Sequence, residues 1–234
     1  MEDGNVLTAK AIREVFNEEV RELGGRVCDS LEYSGRFCAR SILPRNLAVS
    51  PGDLIQGGFA VRFFSSELNV RPYVFRRVCS NGAILARSLE AWDVPEVESR
   101  EPDQVLGELR AAIRACAADE VFENAAGMFR LAQRTPLTAV DLNRVAAELA
   151  RRVGGVLGAR LARLVTARIA SEREHSSFTV GNAVTSVARE TPDPEARWRL
   201  EVLGAEIMAP SAVGARLRSR AAASREPSTR LVHS

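Results

Sequence analysis

Few residues in this chain are of the types that carry out acid–base or nucleophilic chemistry. Its two histidines are His175, in a polar segment, and His233, beside the last residue. Neither lies near a nucleophile motif such as G-x-S-x-G. The cysteines are too widely spaced to form a C-x-x-C pair: Cys28, Cys38, Cys79 and Cys116. We therefore predict reduced, mostly buried thiols, and no catalytic residues, metal or cofactor.

Two other patterns resemble ligand sites, and each has a simpler explanation. The carboxylates Asp119, Glu120 and Glu123 could bind a divalent ion, but such a run usually forms the solvated face of a helix. The sequence Gly154-Gly155-x-x-Gly158 looks like a phosphate loop without its preceding strand and following Lys-Ser/Thr. We expect these glycines to allow close packing of helices instead.

The arginines are the more informative residues, because their distribution is uneven. Residues 26–87 contain nine arginines and four acidic residues, whereas residues 88–126 contain three arginines and ten acidic residues. Residues 210–234 contain five arginines and one glutamate. This asymmetry suggests an anionic partner for the basic segments.

The elements that would position these arginines can be predicted from periodicity and turn residues. Residues 8–23 have apolar positions at helical spacing, a possible cap at Thr8, and Gly24-Gly25 at the end. A β-meander is predicted next, with strands at 26–33, 36–43, 54–66, 70–79 and 83–88. Asn81-Gly82 predicts a type I′ turn between the last two strands, with positive φ at both residues.

The second half of the chain is predicted to be helical. An acidic, Pro-containing connector at 92–102 separates residues 1–91 from the helical region 103–209, which we expect to pack with the sheet as one unit. The predicted helices span 103–133, 138–172, 178–190 and 195–208. Residues 210–234, rich in Ser, Ala and Arg, are predicted to be disordered. The sequence thus predicts an α+β protein with a leading helix, an antiparallel sheet and a helical region.

Six arginines are candidates for contacts with nucleic acid. Three lie on the meander near aromatic residues, and three lie on the 138–172 helix: Arg62, Arg71, Arg76, Arg152, Arg160 and Arg163. Single-strand binders combine a basic groove with aromatic side chains on which bases stack. The alternative is a solvated arginine-rich face with the aromatic residues in the core. We place the phosphate contact on Arg76, and we expect Arg77 to be buried or paired.

Two motifs give the chain a family resemblance. The segment from Pro51-Gly52-Asp53 to Ser65-Ser66-Glu67, followed by Phe75-Arg76-Arg77-Val78-Cys79-Ser80-Asn81-Gly82, resembles a phage- and plasmid-associated family of unknown function. That family also has an N-A-x-T motif, which Asn182-Ala183-Val184-Thr185 matches. The resemblance implies a mobile-element setting. Six residues are structural motif positions in this interpretation: Arg77, Cys79, Asn81, Gly82, Asn182 and Thr185.

Three classes of function fit these features to different degrees. The first is a non-enzymatic nucleic-acid-binding protein, with single-stranded DNA as partner, of the annealing or recombination-mediator kind. The second is a protein-interaction or structural module without nucleic-acid binding, and the third, a hydrolase or nuclease, lacks a metal or nucleophile set. With no apolar run of roughly 18 residues and an acidic, polar N-terminus, we expect a cytoplasmic protein without a membrane partner, which could form homo-oligomers.

Overall fold

The computed structural model describes residues 6–64, 66–77, 81–86, 88 and 90–209, and it confirms the predicted α+β arrangement. Helix α1 (Ala9–Glu22) comes first, capped by the Thr8 side chain, which accepts from the Ala11 amide. The strands follow: β1 (Arg26–Tyr33), β2 (Arg36–Ile42), β3 (Asn46–Ser50), β4 (Asp53–Phe64), β5 (Glu67–Arg76), β6 (Asn81–Ile84) and β7 (Trp92–Val94). A 3₁₀ turn (Val97–Ser99) leads to the helices: α2 (Pro102–Cys116), α3 (Asp119–Gln133), α4 (Ala139–Val153), α5 (Gly155–Ala170), α6 (Ser177–Glu190) and α7 (Pro194–Met208).

The strands form one antiparallel sheet organised around β4 and β5. These two long strands pair along their length, and β1 joins the sheet through β2. Strands β2 and β3 lie end to end along the other edge of β4, and β6 and β7 lie end to end along the other edge of β5. The chain approaches itself closely where β2 ends, since a Cβ on Gly58 would lie 2.0 Å from the Ser41 carbonyl oxygen.

Opposite faces of the sheet are covered by different helices. Helices α1 and α2 pack on one face, where the core includes Phe16 from α1, Ile113 from α2, and Phe37 and Phe59 from the sheet. Alternate residues of β2 point to the other face, as the two-residue period of a strand requires. There Ile42, with Tyr73 and Ile84, packs against Trp198 of α7. Burying each such large apolar side chain contributes about 1.5–3 kcal/mol.

The remaining helices extend the core beyond the sheet. Helix α3 places Phe122 and Phe129 over β3 and the start of β4, and the Phe129 ring meets that of Phe178 on α6 edge to face, with centroids 6.0 Å apart. Helices α4 and α5 pack on α6 and α7 through Leu149 and Val165. The helical region is therefore in direct contact with the sheet.

Two long helices predicted from periodicity are each divided in the structure. The segment 103–133 breaks between α2 and α3, at Ala117 and Ala118. The segment 138–172 breaks at Gly154 and Gly155, whose φ angles of 79° and 56° are incompatible with a continuous right-handed helix. Gly158 does allow close helix packing, since a Cβ there would lie 2.6 Å from the Ala150 carbonyl oxygen.

The prediction of a type I′ turn at Asn81-Gly82 is wrong. Both residues belong to β6, where Asn81 pairs with Arg76 and Gly82 pairs with Phe75. Neither has a positive φ angle. The predicted strand at 70–79 ends at Arg76, and the connection to β6 includes residues 78–80, which lie outside the described residues. The predicted disorder of 210–234 also lies outside them.

Candidate functional site

The arginines predicted to bind nucleic acid on the sheet are instead held by acidic and carbonyl groups of the protein. Arg62 donates from Nε and Nη2 to the two carboxylate oxygens of Glu195, both at 2.9 Å, and from Nη1 to the Asn69 Oδ1 at 2.6 Å. Its side chain is 13% exposed. A two-pronged pair of this kind fixes the guanidinium plane, so Arg62 joins β4 to α7.

Arg71 is held in a similar way at the other side of β5. Its Nη1 donates to the carbonyl oxygens of Val70 and Trp92 at 2.9 and 2.8 Å, and its Nη2 donates to Asp93. The Arg71 Nε is buried without a hydrogen-bond partner among the described residues. These bonds attach the short strand β7 to β5, which is a structural role.

The surroundings of Arg76 and Arg77 differ from those predicted, because Arg76 is paired and Arg77 is exposed. Arg76 donates from Nε to the buried carboxylate of Asp53 at 2.7 Å, and its guanidinium carbon lies 4.9 Å from the centroid of the Phe178 ring. Arg77 has an exposed side chain at the end of β5, where its backbone amide donates to the Leu54 carbonyl. Successive strand residues point to opposite faces, and Asp53 lies on the face of Arg76.

The three helix arginines have different surroundings. Arg152 pairs with Glu148 at 2.8 Å and with Glu206 at 2.5 Å. A hydrogen bond from Arg151, assisted by Arg152, lowers the pKa of Glu148 to about 2 against the opposing effect of burial. Arg160 and Arg163, by contrast, are exposed, and within the described ranges neither forms an ion pair. Helix α5 contains no acidic residue.

The motif residues meet where β6 contacts α6. The Asn81 side-chain amide donates to the Asn182 carbonyl oxygen over 3.4 Å, and the Thr185 hydroxyl donates to the same oxygen over 3.1 Å. The first distance is long for a hydrogen bond. The two sequence motifs are therefore neighbours in space, although Cys79 lies outside the described residues.

A closed ring of four charged side chains, which the sequence did not reveal, joins the sheet to α7. Buried Arg40 donates from Nε to Glu201 at 2.6 Å and from Nη1 to Asp29 at 3.0 Å. Arg197 closes the ring, with Nη1 3.0 Å from Asp29 and Nε 3.2 Å from Glu201. Both Arg40 and Glu201 are 2% exposed. An arginine within the apolar run of β2 was the available signal, because a buried charge must be paired.

The ring leaves one part of Arg40 unsatisfied. Its Nη2 is buried and has no hydrogen-bond partner among the described residues. Burial alone would lower the pKa of Arg40, but the Glu201 carboxylate raises it, so the guanidinium stays charged. An unsatisfied buried donor costs about 1–3 kcal/mol, and more in a charged group.

A cleft of about 280 Å³ opens beside this ring, between β1–β2 and the connection from α6 to α7. Arg40, Arg197 and Asp29 contribute to its lining, as do Leu31 of β1 and the connecting residues Pro192 and Pro194. Burial raises the pKa of the nearby Cys38 thiol and raises that of Cys28 to about 11, which disfavours the thiolate form of both. The lining of the cleft thus combines arginine side chains, which are hydrogen-bond donors, with the apolar side chains of leucine and proline.

The part of the chain that the structure describes has neither a metal-binding cluster nor a helix that could span a membrane. Among the described residues, no group of three or more His, Cys, Asp and Glu side chains is arranged to hold a metal ion. No described helix has the length and apolar character needed to cross a bilayer. The chain matches no protein-family model, no curated protein and no solved structure. The resemblance to the phage- and plasmid-associated family remains a prediction.

Proposed function

We propose that this protein is a non-enzymatic nucleic-acid-binding protein, and that its contact surface is the exposed side of α5 instead of the sheet. One observation carries the proposal. Arg160 and Arg163, three positions apart on a helix without acidic residues, are exposed and have no ion-pair partner among the residues that the structure describes.

The chemistry of this surface suits a phosphate backbone. Residues three positions apart lie side by side on a helix, so Arg160 and Arg163 present two guanidinium groups in the same direction. Each guanidinium has five N–H donors and a permanent charge. No carboxylate on α5 opposes an approaching phosphate. The contacts are made to the backbone, so they carry little sequence preference.

The sheet arginines are weaker candidates for energetic reasons. A phosphate approaching Arg62 or Arg76 would compete with Glu195 or Asp53, each already in charge-assisted contact. Releasing a partly buried carboxylate from its arginine leaves that charge uncompensated, which is costly. Arg160 and Arg163 have no such bond to give up.

A second candidate function is supported by apolar side chains on the same helix. Val156 is 86% exposed, and Leu157 and Leu164 are also exposed. Exposed apolar residues that cluster on one helix can mark a protein-interaction surface. This corresponds to the alternative of a protein-interaction module, with α5 as its docking helix.

A salt titration with matched variants separates the two functions. We would measure the affinity for a fluorescent oligothymidylate by anisotropy from low to moderate salt. Arg160→Gln/Arg163→Gln should reduce the slope of log K against log salt by about 1.4, since each single-strand phosphate contact contributes about 0.7. The control Lys10→Gln/Arg21→Gln removes equal charge from α1 and should leave the slope near that of the parent.

A negative result in the salt titration would exclude nucleic-acid binding through α5, and the second function has a test of its own. If the parent binds no oligonucleotide, or the arginine variant has the parent's slope, nucleic-acid binding through α5 is wrong. Val156→Ser/Leu164→Ser tests the alternative by size-exclusion chromatography with light scattering. A change from a self-associated form to a monomer would favour an interaction module that assembles copies of this chain.

The mobile-element setting that the family resemblance implies suggests a functional readout. We propose that the bound polymer is single-stranded DNA and that binding promotes annealing of complementary strands, as in recombination mediators. A stopped-flow assay with two complementary labelled oligonucleotides measures this directly. RNA of the same sequence, tested in parallel, distinguishes a DNA-specific protein from one that binds either polymer through phosphates alone.

A further inference from the structure

We infer that two copies of this chain associate through strand β1, which pairs with the β1 of the second copy in antiparallel fashion about a two-fold axis at Leu31. This inference does not depend on the proposed role of α5. It begins from the position of β1, which pairs with β2 on one side and with no other strand of the described sheet. An outermost strand presents backbone N–H and C=O groups to which another strand can bond.

The turn after β1 establishes the hydrogen-bonding pattern of the strand. Ser34 and Gly35, between β1 and β2, have φ angles of 47° and 73°. Positive φ at both central residues is typical of a two-residue type I′ hairpin turn. Tyr33 and Arg36, which pair on either side of this turn, are therefore the closing hydrogen-bonded pair of the hairpin.

Two residues of β1 direct their backbone groups away from β2. Hydrogen bonding to the neighbour alternates along an antiparallel strand, so Leu31 bonds to β2, whereas Ser30 and Glu32 point their N–H and C=O groups outward. Within the described ranges, no hydrogen bond from outside the sheet reaches these groups. All three residues are exposed, so a second strand can approach this edge.

The outward backbone groups lie in the regular part of β1. The register shift between Val27 and Asp29 interrupts the ladder near the start of the strand, and a bulge opposes the addition of another strand. Residues 29–33 pair with β2 without interruption. New pairing is therefore confined to this segment.

The segment 29–33 is complementary to itself about Leu31. In antiparallel pairing centred there, Ser30 exchanges both backbone hydrogen bonds with Glu32 of the second copy, and the two Leu31 side chains meet across the axis. Leu31 is 41% exposed, so this contact removes apolar surface from water. The same patch serves both copies, which is the defining property of a two-fold dimer.

No like charges oppose each other in this register. Glu32 lies opposite Ser30 of the second copy, and it is already paired with Arg13, whose Nη1 is 2.6 Å from the Glu32 Oε2. Asp29 lies opposite Tyr33 of the second copy and is held by the two arginines of the charged ring. The carboxylates thus remain compensated when the second strand is added.

The cleft beside the charged ring provides space for Tyr33 of the second copy. Cross-strand partners point to the same face of a sheet, so this tyrosine projects on the side of Asp29, which lines the cleft. The cleft volume of about 280 Å³ is sufficient for a phenol ring, and Pro192 and Pro194 supply apolar walls. A second copy therefore matches this edge in its backbone groups, its charges and its shape.

The oligomeric state of the full chain tests this inference. Contact through one strand and its flanking side chains should bury less than the roughly 1,200–2,000 Å² of stable interfaces, so we expect a dimer that dissociates on dilution. Size-exclusion chromatography with light scattering, from about 1 to 200 μM protein, should show the mass rising from that of one chain toward that of two. The mass of one chain at every concentration would show that the inference is wrong.

A matched pair of substitutions at Ser30 locates the contact. Ser30→Pro removes an outward backbone N–H and keeps the β1–β2 ladder, since proline is tolerated where the N–H faces away from the sheet. It should raise the dissociation constant of the dimer at least about tenfold. Ser30→Ala keeps the N–H and should associate like the parent. A folded Ser30→Pro variant with the parent's dissociation constant would contradict the pairing of β1.

Another variant keeps the inference testable if Ser30→Pro does not fold. Leu31→Arg sets two positive charges against each other at the two-fold axis and alters a side chain that is exposed in the single chain, so it should be monomeric. Val156→Ser/Leu164→Ser changes α5 and should associate like the parent. A dimeric Leu31→Arg variant, or loss of the dimer in the α5 variant alone, would assign self-association to another surface and overturn the inference.

Discussion

Gly82 lies directly against the phenol ring of Tyr73, so closely that a Cβ atom on Gly82 would stand 1.8 Å from the Tyr73 hydroxyl oxygen. The two residues are on neighbouring strands, since Tyr73 pairs with Ile84 and Phe75 pairs with Gly82. Tyr73 is buried, and this burial raises the pKa of its hydroxyl well above the ordinary value. Glycine is required here for space, not for an unusual backbone conformation.

The first prediction concerns this contact. Gly82→Ala should destabilise the fold by about 1–3 kcal/mol, because an added methyl group overpacks a filled core. Urea unfolding measures the loss. Tyr73→Leu in the Gly82→Ala background should cost less than the sum of the single changes, since the clash is removed. Additive losses would mean that Gly82 and Tyr73 are not in contact.

The second prediction tests the charged ring. Arg40→Leu and Glu201→Leu should each cost about 3–5 kcal/mol, because each change leaves a buried charge without its main partner. The double variant removes both charges and should be more stable than the sum predicts. Chemical denaturation of the four proteins gives the coupling energy. A coupling energy near zero would contradict the buried pair.

The third prediction is a pH dependence at Glu148. Its pKa is lowered to about 2 in the fold, mainly by the hydrogen bond from Arg151, whereas the ordinary value is 4.5. The carboxylate therefore stabilises the fold above about pH 4.5, and this contribution is lost as pH falls toward 2. The stability difference between the parent and Glu148→Gln should shrink across this window. Glu172→Gln, at an exposed position, serves as the control, and an equal pH response in both variants would count against the prediction.

The fourth prediction concerns thiol reactivity. Burial raises the pKa of Cys28 to about 11 and that of Cys116 to about 12, and both thiols are free. At pH 8 about one molecule in a thousand then has a Cys28 thiolate, the reactive form. Iodoacetamide should modify both residues slowly in the native protein and rapidly in urea. Peptide mapping by mass spectrometry provides the rates, and rapid native labelling of either residue would be the contrary result.

Local signals in the sequence predicted most of the elements. Thr8 caps α1 as expected, and Thr138 forms a capping box with Asp141 at the start of α4. Such caps act within three or four residues, so they can be read directly from the sequence. The Asn81-Gly82 pair led to a wrong prediction of a turn because the glycine serves another purpose. Both residues lie in strand β6, where Gly82 leaves room for the Tyr73 ring.

The ion-pair partners of the arginines could not be predicted in the same way. Arg62 meets Glu195 from 133 positions away, and Arg152 meets Glu206 from 54 positions away. Such pairs are set by tertiary packing, and no spacing rule identifies them. Of the six candidate arginines, only Arg160 and Arg163 are exposed and without an ion-pair partner within the described part of the chain.

The ring around Arg40 has a consequence for how the chain is made. Glu201 follows Arg40 by 161 positions, and synthesis delivers the N-terminal part first. Strands β1 to β6 are therefore complete while Arg40 lacks Glu201 and the apolar surface of Ile42 and Ile84 lacks Trp198. A nascent chain that stops before α7 therefore exposes an uncompensated charge at Arg40 and the apolar side chains that Trp198 would cover. Exposed apolar surface of this kind makes incompletely folded chains prone to aggregation and is one reason that chaperones exist. Helix α7 is thus needed to complete the burial of the residues that the first strands supply.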